Sequence, residues 1–264
     1  MIFLGAIIGD VAGSKYEFNN IKTKDFTPLD DDCMFTDDSI MTIAVWDMYL
    51  QDALRDKDKI IDIFKKWGKK YPNAGYGGRF YSWVLGDSRE PYNSCGNGSA
   101  MRISPIGWIA NSEEEVKELS YNVTSVTHNH PEGIKGAEVT AMCIYYAKIG
   151  KSKAFIKKYV EKEYPKINEL DYEELKATYK HELEICQVTV PQAIYCFLIS
   201  DSFEDCLKTT ISIGGDCDTT AAISCAIAEA YYGNISLDIF RKTLKKLPND
   251  VLQIIKKVYN KVND

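Results

Sequence analysis

The feature that most restricts the fold is a glycine at every fourth position near the N-terminus. Gly5, Gly9 and Gly13 interrupt an otherwise apolar segment, and this spacing places them on one face of a helix. A face without side chains lets another backbone approach closely. Residues 219–230 form a second segment of small and apolar residues, which Gly233 is suited to end. The sequence therefore predicts two buried helices in close contact with their neighbours.

Most longer segments repeat their apolar residues with the period of a helix. Ile60, Ile61, Phe64 and Trp67 are one example. The chain has 264 residues, of which 45% are hydrophobic, enough for one large core. We therefore expect an all-α fold, in a single domain that spans residues 1–264. Residues 151–185, rich in Lys and Glu, are expected to form a solvated helical excursion.

Composition excludes several classes of partner. The net charge of -6 argues against nucleic acid, which is bound through clustered Lys and Arg. No segment reaches the roughly 20 apolar residues of a membrane-spanning helix, and the apolar N-terminus lacks the basic region of a signal peptide. Eight scattered cysteines without a CxxC pair predict reduced thiols, with neither zinc nor disulfides. These features favour a cytoplasmic protein, which we expect to be monomeric.

Two acidic clusters carry the strongest chemical signal. Residues 36–39 precede the apolar segment 40–46, and residues 214–219 lead into the small-residue segment described above. Each cluster contains carboxylates at adjacent or alternate positions. Such residues can simply cap a helix, but one Asp is enough for that, and two carboxylates side by side repel each other. An oxygen-only set suits a hard cation, Mg²⁺ or alternatively Mn²⁺, and so many carboxylates are compatible with two ions. The candidate metal ligands are Thr36, Asp37, Asp38, Asp216, Asp218 and Thr219.

Glycine, asparagine and proline concentrate in three interior stretches, residues 72–78, 86–98 and 128–133. Loops on a rigid helical scaffold are common places for binding sites. Residues 96–98, Gly-Asn-Gly, lead into a predicted helix, so their N–H groups can converge on an anion. The alternative is a tight loop whose glycines adopt positive φ.

Five ordered motifs resemble the signatures of the ADP-ribosylglycohydrolase family. They extend over most of the chain, and together they are far more specific than any one alone. They are Gly9-Asp10-Val11-Ala12-Gly13 with Tyr16-Glu17-Phe18, Phe35-Thr36-Asp37-Asp38-Ser39, Gly96-Asn97-Gly98-Ser99-Ala100-Met101-Arg102, Thr127-His128-Asn129-His130-Pro131, and Gly214-Gly215-Asp216-Cys217-Asp218-Thr219-Thr220-Ala221. The segment Tyr76-Gly77-Gly78-Arg79-Phe80 agrees with the family as well.

The resemblance implies a compact orthogonal helical bundle with two Mg²⁺ ions at the mouth of a cleft. It implies a hydrolase that cleaves the ribosyl C1 bond of ADP-ribosylated protein side chains or related conjugates and releases ADP-ribose. The six metal-ligand candidates match the family motifs. The implied catalytic residues are Glu17, Asp37 and Asp216, and the implied substrate-binding residues are Gly96, Asn97, Gly98, Ser99, Met101 and His128.

Several residues near these motifs allow more than one role. Arg102 can pair with phosphate or form a structural salt bridge, and His128 can contact ligand or serve as a hydrogen-bonded structural group. Asp10 can support the metal ligands from behind or cap a helix. Aromatic residues in the loops are candidates for stacking on adenine, although core packing is favoured for Phe80. These aromatic candidates are Tyr76, Phe80 and Tyr92.

Two other functions compete with the hydrolase. A family member that binds ADP-ribose without cleaving it, or a structural relative that kept only the fold, would have lost metal ligands, whereas all six positions here retain oxygen side chains. A magnesium-dependent phosphohydrolase fits the carboxylates but not the other ordered motifs. The sequence does not distinguish arginine, serine and O-acetyl linkages, because selectivity resides in the rim of the cleft.

Overall fold

The structure, a computed structural model, describes residues 3–179 and 184–263, and these are helical with no strand. The all-α prediction is confirmed. The helices are α1 (Gly5–Gly13), α2 (Asp37–Leu50), α3 (Lys57–Lys70), α4 (Gly78–Leu85), α5 (Gly98–Met101), α6 (Ser104–Ile109), α7 (Glu113–Ser125), α8 (Pro131–Lys148), α9 (Lys153–Glu163), α10 (Tyr172–Thr178), α11 (Cys186–Ile199), α12 (Phe203–Ile213), α13 (Cys217–Tyr232), α14 (Leu237–Lys246) and α15 (Asn249–Asn263), with a 3₁₀ helix at Pro165–Glu169.

Helices α1 and α13 pack backbone to backbone at the centre of the fold. A Cβ atom at Gly5 or Gly9 would collide with the α13 backbone, and one at Gly13 would lie 2.5 Å from Asp218 Cα. Every residue of α1 is buried. Helix α13 ends where expected, because Gly233 adopts the left-handed conformation at its C-cap. The glycine repeat therefore fixes the start of α13 against the end of α1.

Helix α2 begins beside this central pair. Thr36 is its N-cap and accepts a hydrogen bond from the Asp38 N–H at 3.3 Å. Residues 38–48 of α2 are all buried, and the helix packs against α1, α3 and α15. The capping interpretation thus holds for Thr36. At α13 the N-cap is Asp216, whose side chain makes no capping hydrogen bond, so capping does not account for its carboxylate.

The Lys- and Glu-rich segment forms α9, the 3₁₀ helix and α10 on the outside of the core, as predicted. Of the expected excursion, residues 180–183 lie outside the described residues. All eight cysteines are free thiols, and all but the half-buried Cys95 are buried, as expected for reduced cysteines. Within the described ranges, no helix has the length and apolar character needed to cross a membrane.

Candidate active site

A cleft opens where the first turns of α2 and α13 meet the loop that precedes α5. It contains about 850 Å³ of empty space, including the part open to solvent. Acidic side chains from α2 and α13 line one part of it, and glycine-rich backbone lines another. The predicted site residues in its wall are Glu17, Asp37, Asp38, Gly96, Asn97, Gly98, Met101, His128, Asp216, Asp218 and Thr219.

Asp10 anchors the N-terminus of α2 from beneath the cleft. Its side chain is fully buried. Oδ1 accepts the Thr36 hydroxyl at 2.6 Å, and Oδ2 accepts the backbone N–H groups of Thr36 and Ser39, both at 3.0 Å, and the Ser39 hydroxyl. Both Asp10 oxygens are therefore satisfied by protein donors. This environment matches the supporting role considered for Asp10 rather than that of a direct ligand.

Carboxylates of α2 and α13 converge with Asp10 of α1 and with Glu17 into two groups, neither of which includes Asp37. Oxygens of Asp10, Asp38 and Asp218 lie within 4.8 Å of one another, and so do oxygens of Glu17, Asp216 and Asp218. Asp218 belongs to both groups. A hard cation would fit this arrangement, because carboxylate oxygens are the ligands such ions prefer.

One buried oxygen in this cluster lacks a partner. Thr219 Oγ1 donates to Asp38 Oδ2 at 3.1 Å, whereas Asp38 Oδ1 is buried and has no hydrogen bond with any described residue. Leaving a buried carboxylate oxygen unpaired is costly. A cation beside Asp38 Oδ1 would remove that cost, so the donor set fits a metal ion.

Burial and mutual repulsion oppose ionisation of the metal-ligand candidates. Burial, followed by repulsion from Asp10 and Asp37, raises the pKa of Asp38 well above its usual range. The pKa of Asp218 is likewise raised well above its usual range, by burial and then by Asp216 and Asp38. Grouping such carboxylates in one buried place is unfavourable unless positive charge is supplied.

Residues 96–98, which lead into α5, are called the glycine loop. One side chain of this loop is hydrogen-bonded to the acidic cluster. Asn97 Nδ2 donates to Asp216 Oδ2 at 2.5 Å and to Thr189 Oγ1 at 3.1 Å. The Asn97 N–H also donates to the Glu184 carbonyl at 3.1 Å, next to an isolated antiparallel bridge between Gly96 and Ile185. The loop is thus held on both sides.

The two glycines of the loop allow neighbouring groups to approach closely, and their backbone torsion angles are not unusual. Gly96 and Gly98 are absent from the described glycines with positive φ, so the tight-turn alternative is wrong. A Cβ atom at Gly98 would instead lie 3.3 Å from His128 Nε2. Ser99, expected to bind substrate, is buried and donates its hydroxyl to the Gly133 carbonyl at 2.8 Å, so its side chain does not reach the cleft.

Basic groups lie in the cleft wall near the glycine loop. The Arg102 side chain is only 1% exposed, and its guanidinium lies 4.4 Å from the centre of the Phe64 ring. Burial lowers the pKa of Arg102 to about 10. The salt-bridge alternative for Arg102 is wrong, because no carboxylate of a described residue pairs with it; its hydrogen bonds go to Thr127 and His128. Arg79 also lines the cleft, 5.0 Å from the Tyr92 ring centre.

The aromatic candidates divide into cleft and core. Tyr92 and Phe80 line the cleft, and Tyr76 is not part of its wall. Phe80 is also buried in the hydrophobic core, as expected. Glu184, which was not among the predicted site residues, lines the cleft from the segment before α11. No local pattern marks it, because only the pairing of that segment with the glycine loop brings it there.

Comparison with known proteins agrees with this arrangement. The human ADP-ribosylhydrolase ARH3 is 28% identical over 305 residues, which cover 87% of this chain and 84% of the human protein. The ADP-ribosyl-[dinitrogen reductase] glycohydrolase of Rhodospirillum rubrum is 26% identical over 210 residues, with 75% and 69% covered. A solved ADP-ribosylglycohydrolase-related protein complex shares the fold, with a TM-score of 0.74 at 21% identity over 98% of this chain and 95% of that one.

The decisive comparison is with a family model. The model described as ADP-ribosylglycohydrolase matches residues 2–264, a range that includes both acidic clusters, the glycine loop and the His128 segment. The expectation of a glycosidase is therefore confirmed at the level of the family. Fold, cleft and family model lead to one identification: this chain belongs to the ADP-ribosylglycohydrolase family.

Proposed function

We propose that the protein hydrolyses the bond between ribosyl C1 and a protein side chain or related group, with two Mg²⁺ ions, and releases ADP-ribose. The observation that carries this proposal is the division of one cleft into an acidic part and a part lined by glycine backbone, Arg79 and Arg102. ADP-ribose has the matching polarity, because its diphosphate is anionic and its distal ribose offers hydroxyl groups to cations.

The metal ligands in this proposal are the six residues chosen from the sequence. Their oxygen-only donor set favours Mg²⁺, with Mn²⁺ as the alternative, and the unpaired Asp38 Oδ1 supports a cation there. When bound, Mg²⁺ would supply Lewis acidity next to the distal ribose. The proposed ligands are Thr36, Asp37, Asp38, Asp216, Asp218 and Thr219.

The protein orients these ligands through hydrogen bonds. Thr36 gives its hydroxyl proton to Asp10 and accepts from the Asp38 N–H at 3.3 Å, so one lone pair of Thr36 Oγ1 is left to bind a cation. Thr36 Oγ1 lies 3.4 Å from Asp218 Oδ2, so the two clusters touch. Ligands held by such supporting hydrogen bonds need less reorganisation when an ion binds.

Glu17 is the proposed acid or base. It lines the cleft, and one of its carboxylate oxygens lies within 4.8 Å of ligand oxygens of Asp216 and Asp218. From there Glu17 can accept a proton from the attacking water or protonate the leaving group. Asp37 and Asp216 would contribute as metal ligands, by holding the ions beside C1.

Backbone and basic groups at the other end would bind the diphosphate. Gly96 and Gly98 leave their backbone open to the cleft, and His128 and Arg79 lie in the same wall. Tyr92 offers an aromatic face for the adenine. Binding energy from this remote part of the substrate would orient C1 against the acidic cluster.

The test is release of free ADP-ribose from arginine- and serine-modified peptides, with Mg²⁺ and with EDTA. We expect release by wild type to require Mg²⁺ and to fall by at least about 100-fold in the isosteric variant Asp218→Asn. Asp87→Asn, which removes an exposed carboxylate outside the cleft, is the matched control and should retain activity. Glu17→Gln tests the proton-transfer role, with an expected loss of about 100-fold or more.

The outcomes separate the candidate functions. The peptide that is cleaved identifies the linkage. If wild type binds ADP-ribose but releases none from either peptide or from O-acetyl-ADP-ribose, the hydrolase proposal is contradicted in favour of the non-catalytic binding alternative. The family match favours the hydrolase. ADP-ribosylated proteins are the proposed substrates.

A further inference from the structure

Three buried side chains, two of them in the cleft wall, form a hydrogen-bonded chain. Arg102 Nη2 donates to Thr127 Oγ1 at 2.7 Å and lies 3.4 Å from His128 Nδ1. Thr127 Oγ1 lies 2.8 Å from the same Nδ1. All three residues are at least nine-tenths buried, so water does not compete for these contacts.

The identity of Arg102 sets the direction of these hydrogen bonds. A guanidinium carries only donors and keeps its proton in proteins. Thr127 Oγ1 therefore accepts from Arg102 and has its own proton to give to His128 Nδ1. The second Arg102 contact is also directed at Nδ1. A proton on Nδ1 would face the donors of Arg102, so Nδ1 acts as the acceptor.

The opposite ring nitrogen faces the glycine loop. Cβ atoms placed on Gly96 and Gly98 would lie 3.7 and 3.3 Å from His128 Nε2. Within the described residues, Nε2 has no hydrogen-bond partner, unlike Nδ1. Since a neutral imidazole carries one proton, an acceptor at Nδ1 means a donor at Nε2.

We infer that Arg102 and Thr127 are positioning residues that fix His128 in the tautomer with its proton on Nε2, aimed at an oxygen of the bound diphosphate. The ligand in this inference rests on the proposed function, whereas the tautomer rests on the three side chains alone. A fixed donor spares the ligand the cost of selecting one of two tautomers.

Electrostatics keep the ring neutral. Burial, and then the positive charges of Arg102 and Arg79, hold the pKa of His128 well below its usual range. A protonated ring would place a second buried cation beside Arg102. The Nε2 donor is therefore present throughout the neutral pH range.

The tautomer can be measured directly by long-range ¹H–¹⁵N NMR of the imidazole rings, with no ligand present. The chain has only three histidines, so His130→Gln and His181→Gln identify the His128 signals by elimination. We expect His128 to show the Nε2–H pattern and no titration between about pH 5.5 and about pH 8. A wild-type spectrum of the Nδ1–H tautomer would overturn the inference.

Variants of Thr127 test the chain of hydrogen bonds. Thr127→Val keeps the shape but removes the hydroxyl, so the His128 signals should shift towards a mixture of tautomers. ADP-ribose affinity should fall about tenfold, and KM should rise with kcat nearly unchanged. Thr127→Ser should restore both. The matched control is Thr124→Val, because Thr124 is equally buried and its hydroxyl has no partner among the described residues.

The readouts distinguish failure of this inference from failure of the proposed function. If Thr127→Val keeps the wild-type His128 signals and ADP-ribose affinity, Thr127 does not position the ring and the inference is wrong. If wild type shows the Nε2–H pattern but does not bind ADP-ribose, the tautomer assignment holds and the proposed ligand is wrong. If Thr127→Val does not fold, the wild-type spectrum still decides the tautomer, and Thr127→Ala, which also lacks the hydroxyl, takes its place.

Discussion

Asn97 and Asp216 are 119 residues apart in the chain, yet the Asn97 amide donates to Asp216 Oδ2 at 2.5 Å. The contact joins the glycine loop to the first turn of α13. Asp216, a proposed metal ligand, is therefore oriented by Asn97, a residue of the loop proposed to bind substrate. Binding of metal and binding of ADP-ribose are therefore expected to depend on each other.

Asn97→Ala should weaken this coupling. Without the amide donor, Asp216 loses a hydrogen bond that orients it, and we expect the Mg²⁺ concentration for half-maximal activity to rise by about 10- to 100-fold. The measurement is a magnesium titration of ADP-ribose release. Asn122→Ala is the control, because this asparagine donates to the Leu54 carbonyl and is not part of the cleft wall. An unchanged magnesium requirement in Asn97→Ala would contradict the prediction.

Metal should stabilise the protein more at neutral than at acidic pH. Folding raises the pKa values of Asp38 and Asp218. At pH values above the ordinary pKa of Asp, the folded metal-free protein therefore binds more protons than the unfolded protein. The free energy of unfolding without metal therefore falls as pH rises. Since Mg²⁺ binds the ionised carboxylates, the gain in Tm on adding Mg²⁺ should be larger at about pH 7.5 than at about pH 5.5. An equal or smaller gain at about pH 7.5 would argue against a metal at these aspartates.

Gly9→Ala should destabilise the fold severely. A Cβ atom there would collide with the Ala221 carbonyl group, and neither backbone can move without separating α1 from α13. We expect a loss of about 3 kcal/mol or more in the free energy of unfolding, or no folded protein. Gly78→Ala, at a position with open space around the new Cβ atom, should change stability by less than about 1 kcal/mol. Denaturant unfolding of both variants measures the difference.

Thiol labelling provides a probe of the glycine loop that does not depend on activity. Cys95 is the half-buried cysteine, and it precedes Gly96 of the glycine loop. We expect Cys95 to be the first thiol alkylated in the native protein, and bound ADP-ribose to slow the reaction by covering the loop. Mass spectrometry of the alkylated peptides identifies the residue, and Cys95→Ala should remove the fast phase. Equal rates with and without ADP-ribose would show that the ligand does not cover this part of the loop.

Much of the fold could be predicted because its determinants are local. The glycine repeat is visible in the first 13 residues, and the small-residue segment and Gly233 indicate α13 with its end. Spacing alone cannot show which helices meet. The contact of α1 with α13 depends on matching surfaces at opposite ends of the chain, and those surfaces become visible only in three dimensions.

The parts of the candidate site that could be predicted are those with an unusual combination of residues in the sequence. Residues of common type in a common setting could not be predicted. Adjacent aspartates before an apolar helix are hard to explain without a cation, so the acidic clusters stand out in the sequence. Glu184 is a common surface residue whose position depends on backbone pairing with the glycine loop. Thr127 matters through its hydrogen bonds to Arg102 and His128, which no spacing reveals.

The close contact of α1 with α13 also has a consequence during synthesis. Helix α1 leaves the ribosome before its partner α13, which begins only at residue 217. Until α13 is synthesised, the glycine face of α1 has no native surface to cover it. Final assembly of the core and formation of the acidic cluster must then be the same late event, so that a chain truncated before α13 would lack the metal site and the centre of the fold together.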